Sequence, residues 1–188
     1  MTMRIRGFTF IEMLVVIGII SVALPTLYAI FFIILQQQVK LIRLTEVKRQ
    51  GNFVTNSIEN VISRYASSIH TAIPADSNKV CAITIPAVQT NYSGTLYLKD
   101  NMSNYFYFNS TGNPEKIASQ SSIPNTSTDI TSSKVITSNF SSSCSVSGFS
   151  APLAVYSFDI CYNLNGSCGS AAEKVSLHFQ TTVPLPHY

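Results

Sequence analysis

Gly7, Phe8 and Glu12 are the residues of this chain whose types and spacing carry chemistry. Gly7 closes a short basic leader, Met1 to Arg6, and the run from Phe8 to Leu35 contains Glu12 as its single charged residue. As a helix that run rises roughly 40 Å, more than the roughly 30 Å of hydrocarbon in a bilayer. A carboxylate at such a position costs at least a few kcal/mol in lipid and marks a partner or a function. A secretory signal peptide places its small-residue cleavage site after the apolar stretch. Gly7 comes before it, so a cut after Gly7 leaves the apolar segment on the product and creates an α-amino group on Phe8, one helical turn ahead of Glu12. Pairing of Glu12 with the amine of a neighbouring copy would neutralise both charges and fix the axial offset of the helices, as a buried polar residue fixes register in a coiled coil.

The rest of the chain offers little reactive chemistry. His70 falls near the expected end of a helix, His178 in a strand and His187 in the tail, a distribution without zinc-ligand spacing or a His-centred triad. Asp76, Asp100, Glu115, Asp129, Asp159 and Glu173 sit in turns or at strand margins, and no Gly-rich phosphate loop occurs. No cofactor, metal or enzymatic activity is expected. The formal charge of +3 falls to +1 once Arg4 and Arg6 leave with the leader, a balance that argues against a nucleic-acid role. Four cysteines, Cys81, Cys144, Cys161 and Cys168, read as two disulfides of an exported domain, with three pairings open. The preferred arrangement closes a small loop with Cys161 and Cys168, leaving Cys81 to meet Cys144 across a long section where a cross-link gains most.

The run Gly7-Phe8-Thr9-Phe10-Ile11-Glu12, followed by Met13-Leu14-Val15-Val16-Ile17, resembles the signal of type IV pilins and of the pseudopilins of type II secretion systems. The resemblance covers about the first 30 residues. It implies that a prepilin peptidase cuts after Gly7 and methylates Phe8, and that Glu12 accepts a neighbour's amine during assembly. Phe10 stands where leucine is more usual. The partners implied are other pilin subunits, the prepilin peptidase, an inner-membrane assembly platform and the lipid bilayer. The resemblance also puts the leader in the cytoplasm, a single pass in the inner membrane and the head outside the cytoplasm, with the subunit then assembled into an extracytoplasmic or cell-surface filament. Basic residues alone do not favour that orientation, since Lys40, Arg43, Lys48 and Arg49 follow the apolar run. A minor pilin is the preferred subtype, with major pilin and pseudopilin as rivals. From another class, a single-pass binding or adhesion protein that never polymerises is the alternative.

The elements that must position these residues follow from periodicity. The expected fold class is α+β and type IV pilin-like: a leader over 1–7, a membrane and filament-core helix over 8–35, its amphipathic continuation over 36–72, and a β-rich head over 73–188. Pro25 lacks an N–H and is expected to kink or locally melt the helix near Ser21 to Ala23. Beyond Gln36-Gln37-Gln38, apolar residues such as Val47, Phe53 or Val54, Ile58, Ile62, Tyr65 and Ile69 recur at helical spacing, and Gly51 reads as a weak point. Pro74 marks the end.

After it come strand signals over Val80 to Ile85, a hairpin of Thr95–Lys99 with Tyr105–Phe108, and a final hairpin of Leu153–Tyr162 with Lys174–Val183, stopped by Pro184 and Pro186. Between them, Ser119 to Gly148 is rich in Ser and Thr and reads as long surface loops with a short strand or two.

Overall fold

The computed structural model describes residues 9–73, 79–82, 91–122, 125–147, 150–169 and 174–186. Among these residues the elements are one helix, α1 (Phe10–Tyr65), and ten strands: β1 (Ser68–His70), β2 (Lys79–Val80), β3 (Asn91–Ser93), β4 (Tyr97–Lys99), β5 (Tyr105–Thr111), β6 (Lys116–Ser122), β7 (Asn125–Asp129), β8 (Val135–Ser145), β9 (Leu153–Tyr162) and β10 (Ser176–Pro184). Two compact units divide the chain, Met1–Ile42 and Arg43–Tyr188.

In the second unit the helix from Arg43 onward buries one stripe, Val47, Gln50, Gly51, Val54, Ile58 and Ile62. These recur three or four residues apart and so share one face. The choice between neighbours is sharp: Val54 is 0% exposed and Phe53 57%. Each fully buried branched side chain on the stripe contributes roughly 1.5–3 kcal/mol. The stripe meets two antiparallel sheets, one ordered β2-β1-β4-β5-β6-β7 and the other β10-β9-β8-β3. Alternation supplies their inner faces, clearest in β9, where Ala154, Tyr156, Phe158 and Ile160 are all fully buried.

The helix stops earlier than its apolar spacing implies. It ends at Tyr65 rather than 72, with Ala66 N–H donating to Ile62 O at 3.0 Å and Ser67 N–H already donating to Lys99 O at 2.8 Å. Ile69 keeps its place in the core as a strand residue, paired on one side with Val80 and on the other with Leu98. Two ladders satisfy that backbone, and this long-range pairing outweighs a spacing that local sequence cannot distinguish from helix.

Ser119 to Gly148 is also more ordered than its composition suggests. It contributes most of β6, all of β7 and the long β8, which lies inside its sheet between β9 and β3. Val135, Ile136, Thr137, Ser142 and Cys144 of β8 are buried. Serine and threonine are small enough to enter a strand's inner face, and the Ser142 hydroxyl keeps a partner there by donating to Gly94 O at 2.7 Å. A register shift between Ser138 and Ser141 marks a bulge, with Asn139 at φ 53°. Asparagine tolerates that left-handed backbone, and the extra residue brings Phe140 onto the rings of Tyr156 and Phe158, with centroids 6.2 and 6.5 Å away.

Both hairpins form: β4 pairs with β5, and β9 with β10, which is an edge strand ending at Pro184. Of the strand signal over Val80 to Ile85, the structure describes β2 and then Cys81 and Ala82; the remainder lies outside the described residues. Cys81 is bonded to Cys144, with Cα atoms 6.1 Å apart, linking the end of one sheet's edge strand to the inner strand of the other. Cys161 is bonded to Cys168 across 5.5 Å, closing the loop that leaves β9.

Gly51, expected as a weak point, is a helical residue chosen for closeness. A Cβ added there would collide with Cζ of Phe179 on β10, whose ring stacks on Phe158. Gly51→Ala is expected to destabilise the fold by about 1–3 kcal/mol through overpacking, against a gain of roughly 1 kcal/mol in helix propensity. With the ring removed by Phe179→Ala, the same substitution becomes neutral or stabilising. Denaturant unfolding of the four variants in detergent measures the difference, and a stabilised Gly51→Ala single variant would show that the ring yields freely.

Candidate processing and assembly segment

The first unit is described from Thr9 onward, and its start shows how Glu12 is placed. The Thr9 carbonyl accepts the N–H groups of Glu12 and Met13 at 3.1 and 3.2 Å, opening α1 with Glu12 in its first turn. There a carboxylate faces the positive end of the helix dipole. Its side chain is exposed and has no ion-pair partner among the described residues. Gly7 and Phe8 lie outside the described residues.

Around Glu12 the helix presents apolar surface on every side. Large side chains from Phe10 to Leu35 are exposed all round, and this part of α1 is long and apolar enough to cross a membrane. A helix hydrophobic all round needs lipid or other helices about it. At Gly18 nothing lies within 4 Å of an added Cβ, so the backbone is open to close approach by another helix.

Pro25 does not interrupt α1, and the local melting expected from Ser21 to Ala23 is absent. The proline deprives the Ser21 carbonyl of its amide donor. Side-chain bonds flank the gap: Ser21 Oγ donates to Gly18 O and Thr26 Oγ1 to Ala23 O, each at 2.8 Å. The helix is thus unbroken but short of one hydrogen bond.

One pairing that local sequence reading missed is in the second unit. His178 stands directly opposite Asp159 in the β10–β9 ladder, and its Nδ1 lies 2.7 Å from Asp159 Oδ1. Asn139 Nδ2 donates to the other carboxylate oxygen at 2.7 Å. The Asn139 amide, followed by the His178 ring, holds the Asp159 carboxyl below its usual range, with partial burial opposing. The two residues are nineteen positions apart in the chain, so only the hairpin register, which could have been counted from the two expected strands, reveals them. On this exposed face the contact is worth at most about 1 kcal/mol.

A membrane-length apolar helix with an acid in its first turn, in a chain whose second unit packs the helix on antiparallel sheets, defines an α+β protein of the type IV pilin-like kind. The profile of the prokaryotic N-terminal methylation motif matches residues 2–24, and the chain therefore carries a prepilin-type signal, the mark of type IV pilins and pseudopilins. No curated protein and no solved structure matches the chain.

Proposed function

We propose that this protein is a structural subunit of a type IV pilus-like filament. It is processed after Gly7, methylated on Phe8 and polymerised through its N-terminal helix. The observation that carries the proposal is the methylation motif over residues 2–24, coinciding with an apolar helical segment, 10–35, whose one acid, Glu12, has no ion-pair partner among the described residues. Before assembly the helix holds the subunit in the cytoplasmic membrane with the head outside the cytoplasm. During assembly the exposed apolar surface exchanges lipid for neighbouring helices, and Glu12 receives the amine of the next subunit. Pro25 supplies a turn that lacks one hydrogen bond and so lengthens readily. Prepilin peptidase and an inner-membrane assembly platform are the partners this requires. A minor rather than major role is favoured by a head elaborated into two sheets and a serine-rich section.

Intact mass and N-terminal sequencing of the membrane-extracted protein test the proposal. The expected chain begins at Phe8 and is heavier than its calculated mass by one methyl group. A chain that still begins at Met1 or Thr2 would put the non-polymerising anchored binding protein in its place.

A further inference from the structure

Where the helix enters it, the second unit carries a rim of cations. Arg43 is the first residue of that unit, and its guanidinium lies 5.7 Å over the ring of Tyr162 at the end of β9. Lys134 and Lys174 flank the same end of the sheet. Asn163 N–H donates to Lys134 O at 2.9 Å, and Tyr162 N–H donates at 3.1 Å to the carbonyl of Val175, the residue after Lys174. Lys48 stands on the helix a little over one turn past Arg43, and the three lysines are exposed. From this arrangement we propose that the rim docks the head onto an anionic lipid surface, that of the bilayer holding the subunit's own apolar segment. The inference rests on the membrane-anchored state of the proposed function and not on polymerisation.

Arg43, Lys48, Lys134 and Lys174 have no carboxylate partner among the described residues. Neighbouring acids are engaged elsewhere. Glu46 pairs with Arg49 at 2.7 Å and accepts from Gln50, Asp159 is bonded to Asn139 and His178, and Asp129 pairs with Lys116 at 2.8 Å. Glu173, next to Lys174 in sequence, lies outside the described residues; with it counted beside Glu46, the cations of 43–49, 134 and 174 still exceed the acids by three. An unneutralised cluster of this kind suits an anionic surface.

Reach selects a bilayer over a soluble polyanion. Arg43 follows Leu35, the last residue of the apolar run, by eight positions, and even a fully extended chain of that length spans no more than roughly 30 Å. The rim is therefore held close to headgroup phosphates, at an effective concentration that a free ligand does not match. Its uncharged part suits the same place: Tyr162 and Leu164 are half-buried, and the Cys161–Cys168 bond closes a loop without a charged residue. Tyrosine rings favour the headgroup level, where an apolar body and a polar tip are both satisfied. Docking also gives a use to the basic residues beyond the apolar run, which orientation in the membrane leaves unexplained.

The test uses the full chain in nanodiscs holding one copy each, made of phosphatidylcholine alone or mixed with phosphatidylglycerol, with a trace of lipid bearing a headgroup nitroxide. The chain has no tryptophan, so Ser133→Trp, at an exposed position beside Lys134, introduces a single indole. Its fluorescence is expected to be quenched in the anionic discs and not in the neutral ones. Raising salt from about 0.1 to 1 M, which shortens the screening length from about 10 to 3 Å, should release it. Lys134→Gln with Lys174→Gln should lower the ratio of docked to free heads roughly fivefold for each cation removed. Lys79→Gln, on β2 beyond the far end of the helix, should leave it unchanged, and thermal unfolding checks that each variant is folded. No quenching in the anionic discs, equal quenching in both lipids, or undiminished quenching in the folded double variant overturns the assignment. A subunit that is never cut after Gly7 and never polymerises gives the same readout, so the outcome is separate from that of the filament proposal.

Discussion

Glu12→Ala is expected to reduce incorporation into filaments on the order of a hundredfold while the subunit remains folded and inserted in the membrane. Removing one partner of a buried charge pair costs about 3–5 kcal/mol, because the surviving charge keeps its desolvation penalty without its attraction. At roughly 1.4 kcal/mol per factor of ten, that loss corresponds to two or more orders of magnitude in a subunit-addition equilibrium. Glu12 belongs to the first compact unit, whereas the buried core of the described residues begins at Val47 in the second. Folding and incorporation should therefore separate cleanly. Sheared filaments and membranes are compared by quantitative immunoblot, with unfolding of the extracted subunit as the control. Glu12→Asp, which keeps the charge on a shorter arm, should recover part of the yield. Wild-type filament yield from Glu12→Ala would remove the charge pair from the account of assembly.

The second large effect concerns the head. Replacing Cys81 and Cys144 together by alanine should destabilise it by about 4 kcal/mol, and replacing Cys161 and Cys168 by about 2 kcal/mol, on the chain-entropy account of cross-linking. The first bond joins residues 63 apart and the second residues 7 apart, so loop length alone ranks them. Sheet architecture acts in the same direction, because Cys81 and Cys144 tether different sheets while Cys161 and Cys168 tie only a local loop. Denaturant melts of each double variant check both values. Equal losses would mean that the denatured chain is already compact between Cys81 and Cys144.

The parts of this structure that were legible in the sequence are those whose determinants lie close together. The apolar run and Glu12 announced the first unit. The alternation of Leu153–Tyr162 and of the strand following Lys174 announced the β9–β10 hairpin, and the polar turn after Lys99 announced β4–β5.

Residues with two roles misled. Ile69 continues the helical spacing of Ile58 and Ile62, yet it is a strand residue because β2 and β4 flank it. Ser142 and Thr137 look like loop residues, but their neighbours in β9 and β3 make them part of an inner strand. Gly51 seemed a flaw until Phe179, more than a hundred residues later, occupied the space above it.

The Cys81–Cys144 bond also has a mechanical meaning. A subunit of the proposed filament carries load whenever the filament is pulled, and a head that unravels lengthens the fibre. An extended chain pays out roughly 3.3–3.6 Å per residue. With the 63-residue separation between Cys81 and Cys144 closed by a covalent bond, about 200 Å of contour is withheld from each subunit, even if every strand between them lets go. The segment between those cysteines holds the six-stranded sheet from β4 onward and most of β8. Tension would therefore bypass this part of the head, leaving the β9–β10 hairpin as the main element outside the bond able to yield.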